Sequence, residues 1–130
     1  MPPTPIIHRL RLEPFQNAVV LVAQRSQVHL KRGDQRPSLS AMLYDPNGDP
    51  QPLSGSTVAF RMVDALTRET IIDDAPATIV SPGSSLVRYD WAAADTERVG
   101  EFDAWFVEDD GSGKPQSFPN DDAIRVVVEP

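Results

Sequence analysis

Apolar and polar residues alternate along several stretches of this chain, most clearly at 38–44, 57–62, 86–91 and 102–107. Because successive side chains of a strand point to opposite faces of a sheet, each stretch predicts a strand with one face against a core. The predicted inward-facing side chains are Leu39, Ala41, Leu43, Val58, Phe60, Met62, Val87, Tyr89, Trp91, Phe102, Ala104 and Phe106.

Turn sequences separate these strands. The strongest is 45–50, where an Asn-Gly pair lies between two prolines, and residues 81–85 and 109–113 give similar signals. Shorter strands are predicted at 71–72 and 77–80, on either side of Asp73 and Asp74, and a last strand at 124–128. Residues 92–99 predict one helical turn closed by Gly100. About seven strands at this spacing predict an antiparallel β-sandwich or barrel, and no helical pattern is long enough for a parallel α/β sheet.

The N-terminal segment has a different pattern. Residues 1–15 contain four prolines, which exclude a regular helix, yet five apolar side chains lie among them: Ile6, Ile7, Leu10, Leu12 and Phe15. They either cover an edge of the chain's own sandwich or dock on a neighbouring subunit. The β-prone run 18–23 could pair with an exposed sheet edge, so we predict that residues 1–24 reach an adjacent subunit. The predicted organisation is an arm with the first strand at 1–27 and a sandwich domain at 28–130.

Composition and charge narrow the possible partners. A chain of 130 residues favours one domain, and thirteen prolines and seven glycines suit many short strands joined by turns. The net charge of −7 argues against nucleic acid and anionic membrane surfaces as partners. The longest wholly apolar run, 18–23, is far shorter than the ~20 residues that cross a bilayer. The start of the chain also lacks the pattern of a signal peptide, so we expect the mature protein to begin near Met1.

Candidate catalytic and metal-binding groups are few. The chain has no cysteine, which excludes disulfides and thiolate chemistry, and its two histidines, His8 and His29, lack a nearby nucleophile motif. Paired aspartates at 45/49, 73/74, 109/110 and 121/122 could offer oxygen ligands to calcium, but aspartate is also a favoured turn residue. We therefore expect no catalytic residue, no metal site and no cofactor.

The aromatic residues belong mainly to the predicted core. The exception is Trp105, which the alternation of 102–107 places on the outer face of its strand. Exposed tryptophans are enriched at the energetic centres of interfaces, so Trp105 is a candidate interaction residue.

The order of these signals from about Asp34 to Glu129 resembles the immunoglobulin-like domain at the N-terminus of phage baseplate upper proteins and of related phage virion proteins. Residues 43–50 (LYDPNGDP) are similar to the family's L-x-D-x-x-G-x-P hairpin, and 52–62 (PLSGSTVAFRM) to its dLtG-x-t-V-x-F-x-M run. The other similar pieces are 87–91 (VRYDW), Asp95-Thr96, 100–107 (GEFDAWFV), Asp110-Gly111, Phe118-Pro119 and 124–128 (IRVVV). Phe102 stands where the family has tyrosine.

The resemblance implies an all-β, immunoglobulin-like antiparallel β-sandwich with an extended N-terminal arm. It further implies a non-enzymatic structural protein of the virion, which attaches to capsid, neck, tail or baseplate subunits and forms a homo-oligomer within a symmetric assembly. In baseplate upper proteins a long fibre region follows this domain, whereas this sequence ends at Pro130 and adds 33 residues before the similar part. We therefore expect a small virion protein. The alternative is a surface binding or adhesion module that recognises carbohydrate or a host surface.

Overall fold

The computed structural model describes residues 27–44, 49–81, 83, 85–119 and 123–130, together with the backbone of 10–12. The regular structure of this part of the chain is β-strand, apart from short 3₁₀ segments such as Ala93–Thr96. The strands are β1 (Leu10–Leu12), β2 (Gln27–Lys31), β3 (Leu39–Leu43), β4 (Thr57–Asp64), β5 (Thr70–Pro76), β6 (Thr78–Ser81), β7 (Leu86–Tyr89), β8 (Gly100–Asp109), β9 (Gln116–Phe118) and β10 (Ile124–Glu129). Within the same residues, no helix is long and apolar enough to span a bilayer.

The strands form two sheets. The smaller sheet has the order β1-β3-β7-β6, and the larger has the order β2-β10-β8-β4-β5, with β9 paired to β8. β10 and β9 lie one after the other along the same side of β8, since Ile124 pairs with Ala104 and Phe118 with Phe106. The predicted all-β fold of two packed sheets is confirmed. Antiparallel pairing was predicted throughout, but β2 pairs with β10 in parallel.

One core lies between the two sheets, and its centre is aromatic. The ring of Phe60, on the larger sheet, stacks on Tyr89 of the smaller sheet with 4.4 Å between centroids. The rings of Phe106 and Trp91 also surround it, at 5.1 and 5.6 Å. All twelve side chains that the alternation predicted to face inward are buried. Apolar burial of this kind contributes about 1.5–3 kcal/mol for each large side chain, so the alternation accounts for most of the stabilising core.

The connection from β7 to β8 is fixed by side-chain hydrogen bonds of Asp95 and Thr96. The Asp95 carboxylate accepts from the backbone N–H of Ala92 at 2.7 Å and from the Tyr89 hydroxyl at 2.6 Å. The buried Thr96 hydroxyl donates to the carbonyl of Asp34 at 2.8 Å, which ties this connection to the β2–β3 loop. Burial, followed by the bond to Asp95, raises the pKa of the Tyr89 hydroxyl.

The prediction for residues 71–80 is wrong in one detail. Asp73 and Asp74 were expected between two short strands, but both lie within β5. Asp74 has a positive φ of 54°, and the β4–β5 register shifts between Phe60 and Met62, which is the geometry of a bulge. The Arg61 guanidinium holds both carboxylates, at 2.7 Å from Asp73 and 3.5 Å from Asp74. Aspartate tolerates positive φ, so β5 continues through Asp73 and Asp74, although such a pair of aspartates in a sequence predicts a turn.

The structure describes three residues of the N-terminal arm. The backbone of Leu10–Leu12 pairs antiparallel with residues 41–43 of the same chain, so β1 forms one edge of the smaller sheet. This agrees with the interpretation that part of the arm covers the chain's own sandwich. Ile6, Ile7, Phe15 and the run 18–23 lie outside the described residues, and contact of the arm with a neighbouring subunit stays a prediction.

Candidate interaction surface

The surface of the larger sheet that faces away from the core, called here the outer face, carries Trp105 at its middle. Phe102, Ala104, Phe106 and Glu108 of β8 are buried, while the intervening Asp103, Trp105 and Val107 are only partly buried. β8 has strands on both sides, with β4 on one side and β10 and β9 on the other. The outward orientation that the alternation predicted for Trp105 is therefore seen at the centre of this face.

Trp105 lies beside a row of small side chains. Val107 pairs with Ala59 of β4 on one side and with Ser117 of β9 on the other, and Ala59 pairs with Pro76 of β5. Trp105 itself pairs with Arg61 on β4. On the other side of β8, β9 ends at Phe118, which pairs with Phe106, and β10 begins at Ile124, which pairs with Ala104. Neither strand therefore has a residue that pairs with Trp105. The indole thus lies at an interruption of the ladder, beside these small side chains and next to Arg61, which is ion-paired to Asp73 and Asp74.

The other half of the outer face is charged, and its charges are matched within the chain. Arg125 donates to Asp103 at 3.0 Å and to Glu101 at 2.6 Å. Arg68 donates to the second oxygen of Asp103 at 2.8 Å. These pairs link β10, β8 and the β4–β5 turn, and neutralise the carboxylates that face solvent there.

The β4–β5 turn, residues 65–69, lies at the end of this charged half. The Asp64 carboxylate accepts from the backbone N–H groups of Leu66 and Thr67 at 2.8 and 2.9 Å. These two bonds, assisted by the charge of Arg98, lower the pKa of Asp64. Arg98 donates to Asp64 at 3.3 Å and to Glu69 at 3.1 Å, which joins the turn to the segment before β8.

A cleft of about 490 Å³ opens beside this turn. It is lined by Asp64, Ala65, Leu66, Gly100, Glu101 and Arg125. The backbone N–H of Ala65 donates to the carbonyl of Glu101 at 3.0 Å, so the two walls of the cleft are joined at this point.

Glu108 is a buried carboxylate that the sequence interpretation did not single out. It accepts from the Ser56 hydroxyl at 2.7 Å and from the Gln51 amide at 3.1 Å. Gln51 in turn accepts, through its backbone carbonyl, a hydrogen bond from the buried Ser85 hydroxyl. Glu108 therefore holds the β3–β4 connection against the end of β8. Glu108 lies two residues after the inward-facing Phe106, so the alternation along the strand indicates that its side chain also faces inward. This was the signal in the sequence that could have identified it.

The histidine and aspartates that are candidates for catalysis or metal binding interact with neighbouring groups of the fold, where the structure describes them. His29 is exposed on β2, with Nδ1 3.5 Å from the Glu129 carboxylate. Asp109 accepts from the backbone N–H of Gly111, and Asp110 accepts from the backbone N–H of Ser112. Hydrogen bonds from the side chain and then the backbone of Ser112 lower the pKa of Asp110. Within the described ranges, no group of three or more histidine, aspartate or glutamate side chains is placed to hold a metal ion. His8, Asp45, Asp121 and Asp122 fall outside those ranges.

Fold and surface together define a β-sandwich domain with an outward-facing tryptophan. The sequence matches no protein-family model and no curated protein in the comparisons made.

Proposed function

We propose that this chain is a non-enzymatic, immunoglobulin-like binding module of a phage virion. In this role it attaches to neighbouring capsid, neck, tail or baseplate subunits through the outer face of its larger sheet. The virion assignment rests on the sequence resemblance described above, and the attachment role rests on Trp105.

The strand order supports the immunoglobulin-like assignment. In immunoglobulin domains, strands A, B, E and D form one sheet and G, F and C the other, with C′ added beyond C in the variable type. The smaller sheet here corresponds to A-B-E-D in the order β1-β3-β7-β6. In the larger sheet, β10-β8-β4-β5 corresponds to G-F-C-C′.

The single observation that carries the attachment role is the position of Trp105. A tryptophan that is only partly buried at the middle of a sheet keeps apolar surface in contact with water, and covering that surface is favourable. The small side chains of Ala59, Val107 and Ser117 beside it allow a partner to approach closely. A central aromatic residue with a charged rim is the usual arrangement of an interface.

The roles of the carboxylates support a non-enzymatic reading. Asp95 accepts hydrogen bonds from the backbone N–H of Ala92 and from the Tyr89 hydroxyl, and Glu108 accepts from two side chains of the β3–β4 connection. Each is occupied in holding a loop to a strand. A general acid or base would instead face a pocket with a proton to exchange.

Particle sedimentation tests this proposal. The protein should sediment with phage particles purified from cells that produce it. Trp105→Ala should reduce the sedimenting fraction at least about fivefold, in keeping with loss of an interface anchor. The matched control is Val80→Ala, which truncates another partly exposed side chain on the opposite sheet and should leave sedimentation unchanged.

Two outcomes would contradict the proposal. Absence of the wild-type protein from every particle would refute the virion assignment. Full incorporation of Trp105→Ala would refute the role of the outer face. Binding of the isolated protein to a glycan panel, lost in Trp105→Ala, would support the adhesion module instead.

A further inference from the structure

The cleft beside the β4–β5 turn is lined by three charged side chains, Asp64, Glu101 and Arg125, whose charges are matched within the chain. Arg125 donates to Glu101 at 2.6 Å and to Asp103 at 3.0 Å, and Arg98 donates to Asp64 at 3.3 Å. A charged ligand would compete with one of these ion pairs and would meet a like charge in the same cleft, which is unfavourable. The cleft therefore suits a ligand without net charge.

Two of these side chains keep hydrogen-bonding capacity that the fold does not use. Arg125 donates through Nε and Nη1, so its Nη2 group has no acceptor among the described residues. Glu101 accepts through Oε1, and its Oε2 has no donor in the same part of the chain. The Glu101 side chain is 62% exposed and that of Arg125 is 22% exposed. The cleft thus offers a donor and an acceptor on two side chains that are bonded to each other.

The β4–β5 turn adds an apolar wall to the cleft. Leu66 is 88% exposed, and Ala65 lies beside it in the lining. The turn is fixed, because Asp64 accepts from the backbone N–H of Leu66 at 2.8 Å and the N–H of Ala65 donates to the carbonyl of Glu101 at 3.0 Å. Groups that are held in place before binding lose little conformational entropy when a ligand covers them.

Neighbouring hydroxyl groups on a sugar ring match this arrangement. A hydroxyl both donates and accepts, so two of them can satisfy a guanidinium N–H and a carboxylate oxygen together. We propose that the cleft binds a neutral saccharide, whose hydroxyls bond to Arg125 and Glu101 and whose ring C–H groups contact Leu66. The cleft volume of about 490 Å³ is enough for such a ligand, since small-molecule sites begin at roughly 300 Å³.

An NMR titration of the isotope-labelled protein with glucose, galactose, mannose and N-acetylglucosamine tests this site. At least one of these sugars should shift the backbone amide signals of Ala65, Leu66 and Glu101, with a dissociation constant on the order of 1 mM. At about 100 mM sugar, a site of this affinity is saturated. If none of the four sugars shifts these signals at that concentration, the proposal is wrong.

Three variants locate the binding. Glu101→Ala removes the acceptor and should raise the dissociation constant at least about tenfold. Leu66→Ala removes most of the apolar contact and should raise it about threefold. The matched control is Glu97→Ala, which removes an exposed carboxylate that does not line the cleft and should leave the affinity unchanged. Circular dichroism should show all three variants folded. An unchanged affinity in Glu101→Ala, or an equal loss in Glu97→Ala, would overturn the proposal.

Charged derivatives of the same sugar test the preference for a neutral ligand. The sugar that binds best should bind more tightly than its uronic acid, which adds a carboxylate to the ring, and than its amino sugar, which adds an ammonium group. Tighter binding of either charged form would contradict the role given to the matched ion pairs.

This result is separable from the virion proposal, because no particles are used and Trp105 does not line the cleft. Trp105→Ala should therefore leave sugar binding unchanged. If Trp105→Ala abolished it while Glu101→Ala did not, the sugar would bind on the outer face and the cleft proposal would be wrong.

Discussion

Trp91 and Trp105 show how the same residue type takes different roles in two regions of this sandwich. Trp91 lies in the core, 5.6 Å from Phe60 and 5.4 Å from Tyr89, and its indole N–H donates to the carbonyl of Pro37 at 3.1 Å. Trp105 lies on the outer face, beside small side chains and an interruption of the ladder. In the core every part of the indole has a partner within the chain. On the outer face part of the indole remains exposed, which makes it suited to a partner outside the chain.

The largest difference should appear when an aromatic residue is truncated in each region. Phe60→Ala removes a fully buried ring that contacts three others, so we expect the free energy of unfolding to fall by about 3–5 kcal/mol. Trp105→Ala should lower it by only about 1 kcal/mol, because its side chain remains partly in water. Urea denaturation of both variants measures these changes. Equal losses would show that the outer face is as tightly packed as the core.

The second comparison concerns a carboxylate in each region. Glu108→Ala leaves Ser56 and Gln51 without their acceptor and should lower the free energy of unfolding by about 2 kcal/mol. The matched control, Glu101→Ala, removes an exposed carboxylate paired with Arg125 and should change it by less than about 1 kcal/mol. Denaturation at neutral pH provides both values. A larger loss for Glu101→Ala would mean that the charged half of the outer face, and not the β3–β4 tie, holds β8 in place.

The smallest expected effect is on how the free energy of unfolding depends on pH under alkaline conditions. The pKa of Tyr89 is raised in the folded protein by burial and by the bond to Asp95. Above about pH 10 an unfolded tyrosine loses its proton while folded Tyr89 keeps it, so this group's contribution to stability is complete below that pH and falls as pH rises further. Tyr89→Phe should make the decline between pH 9 and pH 11 shallower, as measured by urea midpoints. Tyr44→Phe, at a partly exposed tyrosine, is the control. An unchanged slope in Tyr89→Phe would contradict this assignment.

The strands could be predicted because alternation is a local property. Phe102, Ala104 and Phe106 are separated by single residues, and their shared burial follows from the two-residue period of a strand. The parallel pairing of β2 with β10 had no such signal. It depends on which of several apolar strands reaches the edge of the larger sheet, and that is decided by the packing of the whole domain.

The surface was less predictable than the core. The position of Trp105 followed from alternation, but the ion pairs around Arg125 join residues more than 20 positions apart and required the sheet order. The burial of Glu108 was not predicted because acidic residues are usually exposed, although its place in the alternation of β8 indicated a side chain that faces inward. The cleft could not be predicted, since it exists only where the β4–β5 turn meets Glu101.

The parallel pairing of β2 with β10 also determines how the domain would respond to mechanical tension. Five residue pairs, from Gln27 with Arg125 to Lys31 with Glu129, run side by side in the same direction. The start of β2 and the end of β10 therefore lie at opposite ends of this pair. A pull applied at Gln27 and Glu129 slides one strand along the other and loads all the hydrogen bonds between them at once. Strands that were pulled apart from one end would separate bond by bond under a smaller force.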